Sequence, residues 1–294
     1  MKKGINMKKQ TLKRRAAFVL AVVMAFTMSF TGTVFAADDD TYLTLGADLS
    51  KSEKATVLDF FGLDSTDGYN VTYVTNAEEY QYLSSYVDSS RIGDRALSSV
   101  LIRENGSNEI DVETHNINYC TKGMYINALA SAGVSGADVI VAGPFEISGT
   151  AALVGTIKAY EQMTGEEVSD EVIEGCVDEL TTTGDLGEEI GDTDAAEGII
   201  AAVKEELADN PDMSAEEIAQ AVRDAAEKAG VELSEATVQK IVNMLQNLQG
   251  LDIDWDNIAK QSSSILEKFS GLFDSGQAQG FFERIVNWFK GLFS

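Results

Sequence analysis

The chain has 294 residues, 44% of them hydrophobic, with 22 Lys and Arg against 48 Asp and Glu, a net charge of −26. That is enough apolar material for one large domain or two small ones. So acidic a surface repels nucleic-acid phosphates and bare anionic lipid, which argues against a nucleic-acid role.

Residues 1–36 have the three parts of a secretory signal peptide. Lys2, Lys3, Lys8, Lys9, Lys13, Arg14 and Arg15 form a positive leader, and an apolar run follows from Ala16 to Phe30. Val34, Phe35 and Ala36 then place small residues where a signal peptidase cuts. The run has 15 residues, whereas a membrane-spanning helix needs about 20. Cleavage after Ala36 is therefore expected rather than a retained anchor. No cysteine sits near the cut to carry a lipid, and Arg14-Arg15 lacks the surroundings of a twin-arginine signal. The leader holds seven bases and no acids, so the remaining 258 residues carry 15 bases against 48 acids, or −33. The expected location is secreted or extracellular. Cys120 and Cys176 allow at most one internal disulfide, and two separate thiols fit the sequence equally well.

From Thr41 to about Thr183 short β-like runs alternate with amphipathic stretches. Strands are expected at Tyr42–Leu45, Asn70–Thr75, Ala96–Arg103, Glu109–Tyr119 and Ala137–Ala142. The third and fourth are joined by a turn at Asn105–Asn108. The last is apolar apart from Asp138, as a buried central strand can be. Ser50 with Glu53, and Thr75 with Glu78, have the spacing of capping boxes and open helices. Further helices are expected over Thr121–Ala132 and Thr150–Met163. Strands alternating with helices give an α/β class, a mixed sheet covered by helices, over residues 37–183.

Asp185 to Glu197 has six acids and two glycines with little apolar periodicity, and reads as an acidic linker over 184–197 that could bind calcium loosely. A small all-α region follows over 198–250. Ser214 with Glu217 makes a third capping box, and Val238, Ile241, Val242, Leu245 and Leu248 form an apolar stripe. Residues 251–294 complete the chain with helices and an amphipathic tail. At about 100° per residue, Phe281, Phe282, Ile285, Val286, Trp288, Phe289, Leu292 and Phe293 fall on one side of the final helix. Three readings compete for it: contact with a membrane surface, contact with an envelope partner, or fold-back as core.

Five stretches together resemble a known family: Thr44–Leu49, Val71–Asn76, Ile92–Ser98, Gly136–Phe145 and Ser148–Leu153. In this order they are similar to the YpuA-like family of secreted proteins from Gram-positive bacteria, a domain of unknown function. The resemblance spans roughly 41–250 and leaves out the aromatic tail. It implies an exported protein of the envelope or medium, and it carries no activity, cofactor or catalytic residue to transfer.

Candidate chemistry is thin. The strand, loop and helix start at Val139–Thr150 could hold an anion on free N–H groups near Ser148, Gly149 and Thr150. Yet no lysine is present, and Ser148 or Thr150 as an N-cap explains the same residues. Asp111, Glu113 and His115 alternate, so a strand puts them on one face, where they could form part of a metal site or a solvated polar surface. Asp252, Asp254 and Asp256 imitate a calcium loop, but Asn257 and Ser263 stand where it needs Gly and Glu, so Asp254 is expected to cap a helix. No Gly-x-Ser-x-Gly elbow presents a serine. The expectation is a non-enzymatic binding or scaffolding protein of the envelope without a resident cofactor. The alternative is an envelope hydrolase using carboxylates, with or without a metal.

Overall fold

A computed structural model describes residues 41–272, with side chains to residue 267, all within one compact unit, Asp38–Ser294. The leader and the aromatic tail from Phe281 to Phe293 lie outside the described residues.

Five strands form one sheet: β1 (Thr41–Gly46), β2 (Asn70–Val74), β3 (Ser99–Glu104), β4 (Ile110–Ile117) and β5 (Ala137–Ile147), in the order β2-β1-β3-β5-β4. Strand β1 runs parallel to β2, and β4 parallel to β5. Strand β3 is antiparallel to both β1 and β5, with Leu101 opposite Leu43 on one side and Ile140 on the other. The α/β class is therefore present. The simple hairpin suggested by the turn at Asn105–Asn108 is not, because β5 inserts between β3 and β4. Asn105 N donates to Gly136 O at 2.9 Å, and Ala137 N to Glu109 O at 3.2 Å, so β5 enters the gap from the turn itself. The burial patterns explain the order. Val139, Val141 and Ala142 of β5 are at most 1% exposed, whereas the early residues of β4 alternate between buried and exposed, as an edge strand can.

Helix α1 (Lys51–Phe60) covers one face through Val57 and Leu58, which meet Leu43, Leu45 and Leu101. The other face carries Val100, Ile102, Val112 and Val139 against α4 (Lys122–Ser131), α5 (Thr150–Thr164) and α6 (Asp170–Ile190). The capping boxes at Ser50 and Thr75 both form, opening α1 and α2 (Asn76–Leu83). A four-residue helix, α3 (Ser89–Ile92), follows.

The expected acidic linker is helix. Helix α6 runs unbroken to Ile190, and α7 (Thr193–Asp209) starts after only two intervening residues, capped by Asp192. Its periodicity was hidden because the buried face of α6 uses small residues. Thr181, Thr182, Thr183, Gly184 and Gly187 are buried beside Leu180 and Leu186. Gly184 lies against the Tyr119 ring and Gly187 against Thr193, so neither position has room for a larger side chain. Asp185, Glu188 and Glu189 take the water-facing side.

Three helices complete the described chain: α8 (Ala215–Ala229), α9 (Glu235–Gln249) and α10 (Trp255–Leu272). Leu186, Ile200, Val203, Ile218, Val222 and Ile241 form the bundle core. Ala202, Leu251, Ile253 and Trp255 touch both this core and the sheet-side core. Asp254 caps α10, accepting from Asn257 N at 3.0 Å. Helix α10 is held by amides: Gln261 accepts from Ile110 N at 3.0 Å and donates to Asn108 O, while Asn257 donates to Val134 O at 2.9 Å. Among the described residues no helix is long and apolar enough to cross a membrane.

Candidate functional site

Strands β1, β2, β4 and β5 run in one direction and β3 against them, so the carboxyl ends of those four lie at one edge of the sheet. Ligands of open α/β sheets bind outside such carboxyl ends. A cleft of about 550 Å³ opens there, lined by Glu79, residues 90–95, Leu97, Ser98, Asn118 and residues 145–151. Strand β5 continues past the expected Ala142 to Ile147, so the glycine-bearing segment is strand and only Ser148-Gly149 turns into α5.

Gly149 sets the shape of that turn. It is left-handed, at φ +88°, and a Cβ would stand 2.6 Å from the Tyr125 hydroxyl. Tyr125 Oη donates to Gly149 O at 2.6 Å, and Cys120 N donates to Ser148 O at 3.0 Å. Both carbonyls are thus turned into the protein, away from the cleft. Gly149 occupies the N-cap position and no side chain caps α5, so the expected capping by Ser148 or Thr150 is not made. The Ser148 hydroxyl donates instead to Arg91 O at 3.1 Å.

The cleft's cations are already matched. Arg91 grips both carboxylate oxygens of Glu188, at 2.7 and 2.8 Å, and lies over the Tyr119 ring. Arg95 pairs with Glu53 at 2.7 Å and donates to Asp48 O at 2.8 Å. The Arg95 hydrogen bond, with help from Ser50, holds the Glu53 carboxyl down at about 2. Glu79 is different. It is 2% exposed, its carboxylate accepts from Asn76 Nδ2 at 2.9 Å, and burial pushes it up to about 7. Phe145 stands at the rim, 49% exposed. The lining therefore offers hydroxyls, amides and carboxyls, one open aromatic ring and no unmatched guanidinium.

Of the expected metal set, Glu113 and His115 do meet, at 3.1 Å, and the imidazole stacks on Phe60 with ring centres 4.6 Å apart. Among the described residues no group of three or more His, Cys, Asp or Glu side chains could hold a metal ion, so Asp111, Glu113 and His115 do not assemble into one. Ser263, at the would-be calcium position, donates to Glu205. Cys120 and Cys176 are both buried and unpaired. The tail contacts expected at Phe281, Phe282, Ile285, Trp288, Phe289, Leu292 and Phe293 lie outside the described residues.

One polar cluster was not anticipated. Lys204 on α7 is wholly buried and donates to Glu179 Oε1 on α6 at 2.6 Å, and to Asn127 O and Ser131 Oγ on α4 at 2.7 and 2.9 Å. Ser131 also donates to the second Glu179 oxygen at 2.6 Å. Nearby, Glu197 accepts from the Thr121 hydroxyl at the start of α4, and burial raises its carboxyl to about 8. A signal was present in the spacing. Lys204 lies four residues after Ile200 and three before Leu207, and Glu179 three after Cys176, so both charges fall on apolar stripes.

Set beside known proteins, residues 45–265 match the model of a family described as a protein of unknown function, DUF1002. The chain is 40% identical over 263 residues to the uncharacterized protein YpuA of Bacillus subtilis (strain 168), covering 88% of this chain and 89% of that one. No solved structure matches it.

Proposed function

This chain belongs to the DUF1002 family, proteins of unknown function, and on that premise we propose that it is an exported binding protein of the cell envelope. Its ligand is a neutral, hydroxyl-rich group, such as a sugar unit of a wall polymer, held in the cleft at the start of α5. The cleft is the observation that carries this reading. It has the volume of a small-molecule site, about 550 Å³. Its arginines are neutralised by Glu188 and Glu53, which removes the charge an anionic ligand would seek. Asn118, Ser98 and the Glu79 carboxyl supply donors and acceptors for hydroxyls, and Phe145 supplies a ring face for the apolar side of a sugar. The leader sequence supports export, and the aromatic segment at residues 281–293 would add contact with a membrane or partner.

Calorimetric titration of the protein with soluble wall-glycan fragments tests the cleft. Phe145→Ala should weaken binding about tenfold, the loss of roughly 1.4 kcal/mol. A chain ending at Gly271 should bind the same fragments unchanged but lose flotation with liposomes. Equal binding by Phe145→Ala and the parent, or none by either, overturns the cleft reading.

Glu79 favours a second reading, a glycan hydrolase. A carboxyl near 7 is still partly protonated at neutral pH and can act as a general acid, with Asp94 and Glu146 along the same cleft. Turnover of the fragments, abolished by Glu79→Gln, would select this reading over simple binding.

A further inference from the structure

The cluster at Lys204 brings together a primary amine, a carboxamide and a carboxyl where water does not reach. Lys204 and Glu179 are 0% exposed and Asn127 is 1% exposed. Lys204 Nζ lies 2.7 Å from the main-chain oxygen of Asn127, so the amine is already seated beside the residue that carries the carboxamide. The carboxamide itself is loosely held. Its Nδ2 makes one long hydrogen bond, 3.4 Å to Glu197 O, and its Oδ1 has no hydrogen-bond partner among the described residues. An orphaned buried acceptor costs about 1–3 kcal/mol and calls for an explanation.

We propose that Lys204 and Asn127 become joined by an isopeptide bond in the core of the protein, with Glu179 carrying the protons. An amine attacks only when neutral, and a dry site disfavours a separated pair of charges. Burial raises the Glu179 carboxyl toward its protonated form, against the pull of Lys204. With the proton on Glu179, the Nζ lone pair is free to add to Asn127 Cγ. Glu179 delivers its proton to the Oδ1 that lacks a partner, so the carbonyl becomes a hydroxyl on a tetrahedral carbon, and takes back the extra proton on Nζ. That proton passes to Nδ2, the Cγ–Nδ2 bond breaks as the hydroxyl returns its proton to Glu179 and the carbonyl re-forms, and ammonia leaves. The Nζ–Cγ amide remains, nothing is oxidised or reduced, and no co-reactant is required. Ser131, bonded to both Lys204 and Glu179, keeps the two aligned. The product ties α4 to α7 across 77 residues of chain, and replaces a buried ionisable amine by a neutral amide.

Mass spectrometry of the full, denatured protein decides the matter. The parent should weigh about 17 Da less than its processed sequence requires, the mass of one ammonia released from an Asn amide. Digestion should yield one branched peptide joining the segments that contain Asn127 and Lys204. Lys204→Met and Glu179→Gln should both appear at their calculated masses, and neither should give the branched peptide. A parent at its calculated mass overturns the proposal even if a variant fails to fold. So does a deficit that survives in Lys204→Met, which would mark cyclisation of Asn127 on its own backbone.

Discussion

At the rim of the cleft, Arg95 and Glu53 meet at 2.7 Å with side chains 41% and 19% exposed. Beneath α4, Lys204 and Glu179 meet at 2.6 Å with none of either exposed. Contact distance does not separate the two pairs, but their surroundings do. Water solvates the first pair about as well apart as together, so it contributes little to folding and can rearrange around a ligand. The second pair has no such alternative, and either partner left alone would be a bare charge or an unpaired polar group in the core. A pair that can open is free to adjust to a ligand, and one that cannot serves stability.

The largest expected effect tests the closed side of that contrast. Glu179→Ala prevents the Lys204–Asn127 bond and leaves the Lys204 nitrogen with only Asn127 O and Ser131 Oγ, and should destabilise the protein by at least about 3–5 kcal/mol. Urea denaturation measures it. A cost below about 1 kcal/mol would place the buried pair with surface pairs and break the comparison.

A pH series sharpens it. Glu79 and Glu197 have folded values near 7 and 8, raised from 4.5 by burial. In both, the folded protein holds a proton that the unfolded chain has released. Their contribution is complete below about pH 4.5 and is lost as pH rises toward 7 and then 8. Glu53 works the other way: lowered to about 2, it contributes above pH 4.5 and loses that contribution as pH falls toward 2. Denaturation midpoints should therefore peak near pH 5 and decline toward pH 8. Glu197→Gln should flatten the upper part of the decline, by a few kcal/mol at most between the ends. A midpoint that climbs from pH 5 to 8 in the parent would contradict the burial of these two carboxyls.

Much of this architecture was legible in the sequence where local chemistry decides it. The capping boxes at Ser50, Thr75 and Ser214 all form, because each needs only residues three apart. The apolar start of β5 announced a central strand, since a strand covered by helices on both faces carries apolar residues at successive positions. The end of α6 was hidden because its buried face is built from Thr and Gly, which carry no hydrophobic period. The order β3-β5-β4 was hidden because a tight turn suits a hairpin and does not reveal a strand inserted between its arms. The site was legible only in part for the same reason. Ser148, Gly149 and Thr150 do line the cleft, but Glu79, Arg91 and Arg95 reach it from segments some sixty residues earlier in the chain. The buried Lys204 and Glu179 look like solvent-facing charges unless their place on an apolar stripe is counted.

The smallest expected effect lies on the open side. Arg95→Ala removes the guanidinium from Glu53 and from Asp48 O. Stability should fall by less than about 1 kcal/mol, because both partners can turn to water. Glu53 keeps its second task, accepting from Ser50 N at 2.7 Å in the capping box of α1, so the helix start stays intact. The Glu53 carboxyl should therefore rise from about 2 toward the ordinary range without reaching it, since the Ser50 hydrogen bonds still favour the charged form. An NMR titration of that carboxyl reads the shift directly. A destabilisation above about 2 kcal/mol would mean that this rim pair is held as rigidly as the core pair. The cleft would then be a finished part of the scaffold, unable to adjust to a ligand.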